Sequence, residues 1–112
     1  MLQYNKLYQS LKKVSGEWHA GHVEWGYYWY YIKFFTDYTF IYASINGDNT
    51  NQINTWFNKD AEGATRGTFQ IKNDSEVILN FDNEPGIVAG FTNDKKLLVQ
   101  GKLSWDIFSP VD

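Results

Sequence analysis

The stretch Tyr27-Tyr28-Trp29-Tyr30-Tyr31-Ile32-Lys33-Phe34-Phe35 decides the fold. Nine residues of aromatic and β-branched character, broken by a single charge, read as a strand. Side chains alternate along it, so Tyr28, Tyr30, Ile32 and Phe34 share one face, while Tyr27, Trp29, Tyr31, Lys33 and Phe35 share the other. Both faces are apolar. One can fill a core. The other has to lie under a helix, line a groove or meet a partner, because an aromatic stripe of that size is not left bare on a solitary soluble domain.

Upstream of this strand, Tyr4, Leu7, Tyr8, Leu11 and Val14 recur at three-and-four spacing. That period predicts a helix over residues 2–14, stopped at Gly16, with Leu7, Leu11 and Tyr8 available to cover the outer stripe. Glu17 to Val23 then alternates as a first strand, joined around Trp25-Gly26 to the aromatic one, which turns at Thr36-Asp37-Tyr38 into Thr39 to Ser44. Asn46 to Asn51 is a polar loop. After it, Ile53, Trp56 and Phe57 stand at helical spacing in a segment, residues 52–58, short enough to be either a helical turn or an irregular strand. Lys59 to Arg66 reads as a second loop.

Thr68 to Lys72 pairs with Glu76 to Phe81 across Asn73-Asp74, the clearest hairpin of the chain. Further short turns at Asp82 to Pro85 and at Asn93-Asp94 separate Ile87 to Phe91 from a last long strand expected over Lys96 to Trp105. Seven or eight strands joined by short hairpins give an all-β antiparallel meander, closed as an up-and-down barrel in preference to a two-sheet sandwich. Closure removes exposed strand edges, and the connections are too short for Greek-key crossings. At 112 residues the chain is a single domain, 1–112, with the barrel over residues 16–109.

Ten basic against 13 acidic residues, with Arg66 the single arginine, equip the chain poorly for a phosphate backbone, so nucleic acid is not an expected partner. There is no cysteine, which excludes disulfides and thiolate chemistry. The first residues lack a basic start followed by an apolar block, and no run approaches the roughly 20 apolar residues of a spanning helix. A soluble protein of the cytoplasm, away from the membrane, is the expectation. Trp18, Ala20 and His22 fall on one strand face and His19 on the other, so the two histidines do not chelate one ion. His22 and Glu24 share a face, and we read His22 as a hydrogen-bonded histidine at the barrel mouth. No serine has a nucleophile-elbow context, and Gly63 to Gly67 lacks the lysine and the following helix of a phosphate loop. No catalytic residue, metal or cofactor is assigned.

Gly16-Glu17-Trp18, at the start of the first strand, resembles the glycine-any-tryptophan opening of the lipocalins and the wider calycin group. Tyr30 to Asp37, Trp56-Phe57, Gly67 to Ile71 and Val77 to Phe81 follow in an order similar to small lipocalin-like domains, and to the C-terminal domain of certain F-box-only proteins. The resemblance covers most of residues 16–105. It implies a barrel whose interior can hold an apolar ligand. Such sequences carry glycine after the turn aspartate, whereas here Tyr38 follows Asp37, implying a turn of another type or a longer one. Lipocalins also commonly place an arginine near the last strand to stack across the tryptophan, and here only Lys102 is available there, which stacks less well.

Two binding readings follow. In the first, a non-catalytic module takes a small apolar or aromatic ligand inside the barrel, lined by Trp18, His22, Tyr28, Tyr30, Phe40 and Tyr42, with Phe69, Leu79 and Val99. In the second, Tyr27, Trp29, Tyr31 and Phe35 meet a protein partner, most simply a second copy in a homodimer.

Overall fold

A computed structural model describes residues 10–15, 20–23, 26–46, 53–58, 60–61, 63–82, 84–100 and 105–111. Its strands are β1 (Leu11–Ser15), β2 (Ala20–Val23), β3 (Gly26–Phe34), β4 (Thr39–Asn46), β5 (Thr65–Ile71), β6 (Glu76–Asn80), β7 (Ile87–Phe91), β8 (Leu97–Gln100) and β9 (Trp105–Pro110), with one helical turn, α1 (Ile53–Trp56), after β4. Every neighbouring pair from β2 to β9 except β4–β5, between which α1 lies, is joined by a connection of six residues or fewer, and all pairings are antiparallel. The meander is closed. β1 inserts between β9 and β3, so that Leu11 pairs with Pro110 on one side and Ile32 on the other. Eight strands thus form the ring, and β2 lies in line with β1 along the remaining length of β3, with Ala20 opposite Trp29.

The inward face of β3 is the one carrying Ile32 and Phe34. These join Leu11, Phe40, Phe69, Val77, Leu79, Ala89, Phe91, Leu97, Val99 and Phe108 in one buried cluster inside the barrel. Alternation decides each assignment: on β6 Val77 and Leu79 point in, and on β8 Leu97 and Val99 do. The hairpin at Asn73-Asp74 forms as the sequence predicts, with Ile71 opposite Val77 and the Asn73 side chain accepting from the Ser75 and Glu76 amides.

Four expectations are corrected. The helix over residues 2–14 does not reach Val14: from Leu11 the chain is extended, because closing the barrel requires a strand that hydrogen-bonds both β3 and β9, and that ladder outweighs local helical spacing. Residues 2–9 lie outside the described residues. Leu11, assigned to cover the outer stripe, fills the barrel core instead. The long last strand over Lys96 to Trp105 is two strands, β8 and β9, with Gln100 opposite Trp105. The loop over Lys59 to Arg66 ends early, since Thr65 already pairs with Tyr42.

The turn at Thr36-Asp37-Tyr38 joins β3 to β4 through Phe35 and Thr39. Tyr38 itself adopts the left-handed backbone, φ 66°, while its amide donates to the Phe35 carbonyl and the Phe35 amide to that of Thr39. Lys95, φ 67°, does the same in the β7–β8 turn. A β-carbon makes this conformation costly, by about 1–2 kcal/mol per residue. At Tyr38 the ring offsets part of that by packing on Phe69, 5.7 Å between centroids.

Candidate functional site

The two ends of the barrel differ in chemistry. At the end closed by the tight turns after β3, β5 and β7, Phe34 meets Phe40, Phe69 and Phe91 at centroid distances of 5.9, 5.1 and 6.0 Å. Fully burying each such ring contributes about 1.5–3 kcal/mol, and together they plug this end. An eight-stranded barrel is just wide enough to be filled by side chains or to hold one small molecule, and here one buried cluster that includes these rings, Leu79, Val99 and Phe108 fills the interior from this end.

Towards the opposite end the interior turns polar. Tyr30 and Tyr42, diagonal neighbours on the inward face of the β3–β4 ladder, are half-buried and stack at 5.6 Å with their planes within 9°. Tyr42 also meets the edges of Phe81, at 6.0 Å, and Phe108, at 6.4 Å. Lys13 projects inward from β1 with its amine 5.2 Å from the Tyr30 ring centre, and its Nζ lies 3.2 Å from Asp106 Oδ2. Both side chains of this ion pair are withdrawn from water, 5% and 16% exposed. A charge in such a place is sustained by its partner. Two tyrosine rings, an ammonium and a carboxylate therefore lie together beside apolar walls, residue types that suit a site orienting a small ligand by a few polar contacts.

The outer face of β3 is organised separately. Tyr31, Ile41 and Ile45 form a second buried cluster with Ile53 and Phe57, against which Trp29, Phe35, Ala43, Ala61, Ala64 and Val111 pack. The cover of the aromatic stripe is thus α1 and the chain that follows it. Arg66 fastens this cover by donating to the carbonyls of Ala64 and Ala61, at 3.1 and 3.0 Å. Ile53 and Phe57 reach the stripe because a single turn of helix sets them on one side, with the Phe57 amide donating to the Ile53 carbonyl.

Of the residues assigned to the ligand reading, Phe40, Phe69, Leu79 and Val99 belong to the packed interior, while Tyr30 and Tyr42 stand at its polar end. Trp18 lies outside the described residues. His22 pairs with Tyr27 and Tyr28 with Gly21 through the backbone, and only that pairing is described. Of the residues assigned to an interface, Tyr31 is 2% exposed and enclosed by the chain's own cover, and Trp29 and Phe35 are half-buried beside it. The second cluster therefore takes the place of a partner at Tyr31.

Sequence reasoning missed Lys13 and Asp106. The signal was available only once β1 is a strand: Lys13 then shares the inward face with Leu11, and Asp106 shares it with Phe108. Among the described residues no group of three or more histidines, aspartates or glutamates could hold a metal ion, and no helix is long and apolar enough to cross a membrane. Comparison with protein-family models, with curated proteins and with solved structures found no match.

Proposed function

We propose that this protein is a non-catalytic binding module that takes a small apolar or aromatic ligand at the polar end of the barrel, with a cytoplasmic location as part of the same reading. One observation carries it: the stacked, half-buried pair Tyr30–Tyr42 stands beside the enclosed Lys13–Asp106 ion pair, inside a barrel whose other end is plugged by phenylalanines. Flat apolar surface with hydroxyl, ammonium and carboxylate groups favours a ligand that combines an aromatic body with a polar edge. The lipocalin-like order of motifs between Gly16 and Phe81 supports the same reading. No nucleophile, base and metal ligand converge among these groups, which is why binding is preferred to turnover.

The test is a titration of a panel of aromatic and aliphatic ligands, followed by heteronuclear NMR with solution mass by light scattering. The expected result is saturable binding by a monomer, with shifts clustered on β1, β3, β4 and β9. Tyr42→Ala abolishes it, and Trp56→Ala, on the outer cover, leaves it intact. A dimer that ignores every ligand overturns this reading and favours the association of two copies.

A further inference from the structure

Along the barrel wall side chains alternate, and β5 follows the usual rule: Phe69 is buried inside, while Arg66, Thr68 and Gln70 are exposed outside. β6 to β9 break it. Their inner positions are apolar, yet Ile78, Val88, Leu98 and Ile107, which point away from the core, are apolar too and only half-buried. Ile78 pairs with Val88, and Leu98 with both Gly90 and Ile107, so the four form one strip across the strands. Trp105 continues it on β9, 49% exposed, and Val14 extends it, 43% exposed, where the register of β1 shifts beside Ile107. None of the six belongs to either buried cluster or packs against one. The other apolar outer face, on β3 and β4, is by contrast closed by Ile53 and Phe57.

Backbone chemistry constrains what can cover the strip. β6, β7, β8 and β9 are each hydrogen-bonded to a strand on both sides, so no further strand can be added there, and an occupant reaches the strip through side chains alone. It has to arrive with its own backbone groups satisfied, which a helix does. From β6 to β1 the strip crosses four strand intervals, about 19 Å at the usual spacing, the length of a helix of about 13 residues. One helix is about 10 Å broad, which gives a footprint of about 200 Å². That is well short of the roughly 800 Å² per partner of a specific dimer and sets aside a second copy of this barrel. Charge supplies the direction. Asp82 and Glu84, both exposed, stand on the turn between β6 and β7 at one end of the strip. At the other end the carboxylate of Asp106 is turned inward to Lys13.

We propose that the outer face of β6 to β9 docks an amphipathic helix of a partner protein, apolar on the side that meets Val88, Leu98 and Ile107 and basic at the end beside the β6–β7 turn. The small footprint makes the contact weak and reversible. This surface lies on the outside of the wall and does not depend on the ligand reading of the barrel interior.

The probe is a synthetic peptide of about 13 residues with leucines at three-and-four spacing, glutamines elsewhere and lysines at one terminus. It is compared with its scrambled sequence and with a version carrying glutamates in place of the lysines. Heteronuclear NMR of the intact chain should show saturable shifts on Ile78, Val88, Leu98, Ile107 and the Trp105 indole, and none with the scrambled peptide. Asp82→Asn together with Glu84→Gln should weaken binding of the lysine peptide about two- to fivefold, the range of exposed ion pairs, and the glutamate peptide should bind the parent chain less tightly as well. Leu98→Asp should weaken it at least about tenfold, since docking then buries an unpaired carboxylate. Shifts that are absent, that are the same with the scrambled peptide, or that gather at the polar end of the barrel or over α1 overturn the proposal. So does a response of the strip to neutral phosphatidylcholine vesicles with none to the peptide, which makes it a membrane surface instead. The peptide comparisons use the unaltered protein, so they decide the matter even where the Leu98→Asp chain does not fold.

Discussion

The edge of one ring of the pair Tyr31–Phe57 faces the plane of the other, 6.3 Å apart and inclined by 65°, so the outer aromatic face of β3 is closed by a residue that follows it by a single strand and one helical turn. Phe57 is 1% exposed, Ile53 likewise, and the two are the anchors of the cover.

Phe57→Ala is therefore expected to cost about 3–5 kcal/mol, the usual loss for truncating a buried phenylalanine. On a domain of this size that is a fall in Tm on the order of 10–20 °C. Trp56, its neighbour, is 39% exposed, and Trp56→Ala should cost far less. Thermal unfolding of the two variants, with binding of a hydrophobic dye, checks both points: the dye should respond to Phe57→Ala, which uncovers Tyr31, and hardly to Trp56→Ala.

Two strand glycines should respond oppositely to alanine. A β-carbon on Gly67 would stand 2.5 Å from Phe40 Cζ and 2.6 Å from the Asn80 carbonyl oxygen, and the backbone atom cannot yield. Gly67→Ala is expected to destabilise by about 1–3 kcal/mol. At Gly90 the nearest atoms, Glu76 Cγ and the Ser75 carbonyl oxygen, are 3.7 and 3.9 Å away. There alanine fits, and the reduced freedom of the unfolded chain should stabilise by about 0.4–1 kcal/mol. Urea unfolding midpoints at constant slope decide.

Lys95 is held at φ 67° in an exposed turn, whereas Gly86 occupies φ 82° at no steric cost. Lys95→Gly should raise stability by about 0.5–1 kcal/mol, the relief of the β-carbon clash less the added entropy of the unfolded chain. Gly86→Ala should lower it by about 1–2 kcal/mol although nothing lies within 4 Å of the added carbon, since the penalty resides in the backbone. Equal effects of the two substitutions would contradict this account.

For the Lys13–Asp106 pair the expectation is asymmetric. Asp106→Leu leaves the Lys13 ammonium enclosed without its partner and should cost about 3 kcal/mol, near the low end for a broken buried pair because Asp106 keeps some access to water. Lys13→Met together with Asp106→Leu should come within about 1 kcal/mol of the parent chain. A double-mutant cycle in urea measures the difference, and additive losses from the two single changes would show that the pair is not coupled.

The strand from Tyr27 to Phe35 and the hairpin at Asn73-Asp74 were legible because local alternation and turn chemistry agree with the tertiary pairing that forms. Leu11 to Val14 was not, because Leu11 satisfies both a helical stripe and an inward strand position, and the choice is made by β9 at the far end of the sequence. The same distance hid the polar end of the site: an inward lysine is implausible until Asp106 is known to face it. Tyr38 was legible as a turn residue but not in its backbone, since a left-handed tyrosine is tolerated here through its contact with Phe69. Ile53, Trp56 and Phe57 showed helical spacing, yet only the folded sheet reveals that they lie over Tyr31.

Closure through β1 also sets an order of events during synthesis. From β3 to β8 each strand pairs with one that has just emerged, so these contacts are local and form early. β1, made first, has to wait for β9, whose Pro110 pairs with Leu11, before both sides of the seam can join. Until then the nascent sheet carries open edges, with Leu11 and Phe108 not yet buried against each other's strands, and it is in this interval that the chain is most exposed to pairing with a neighbouring copy.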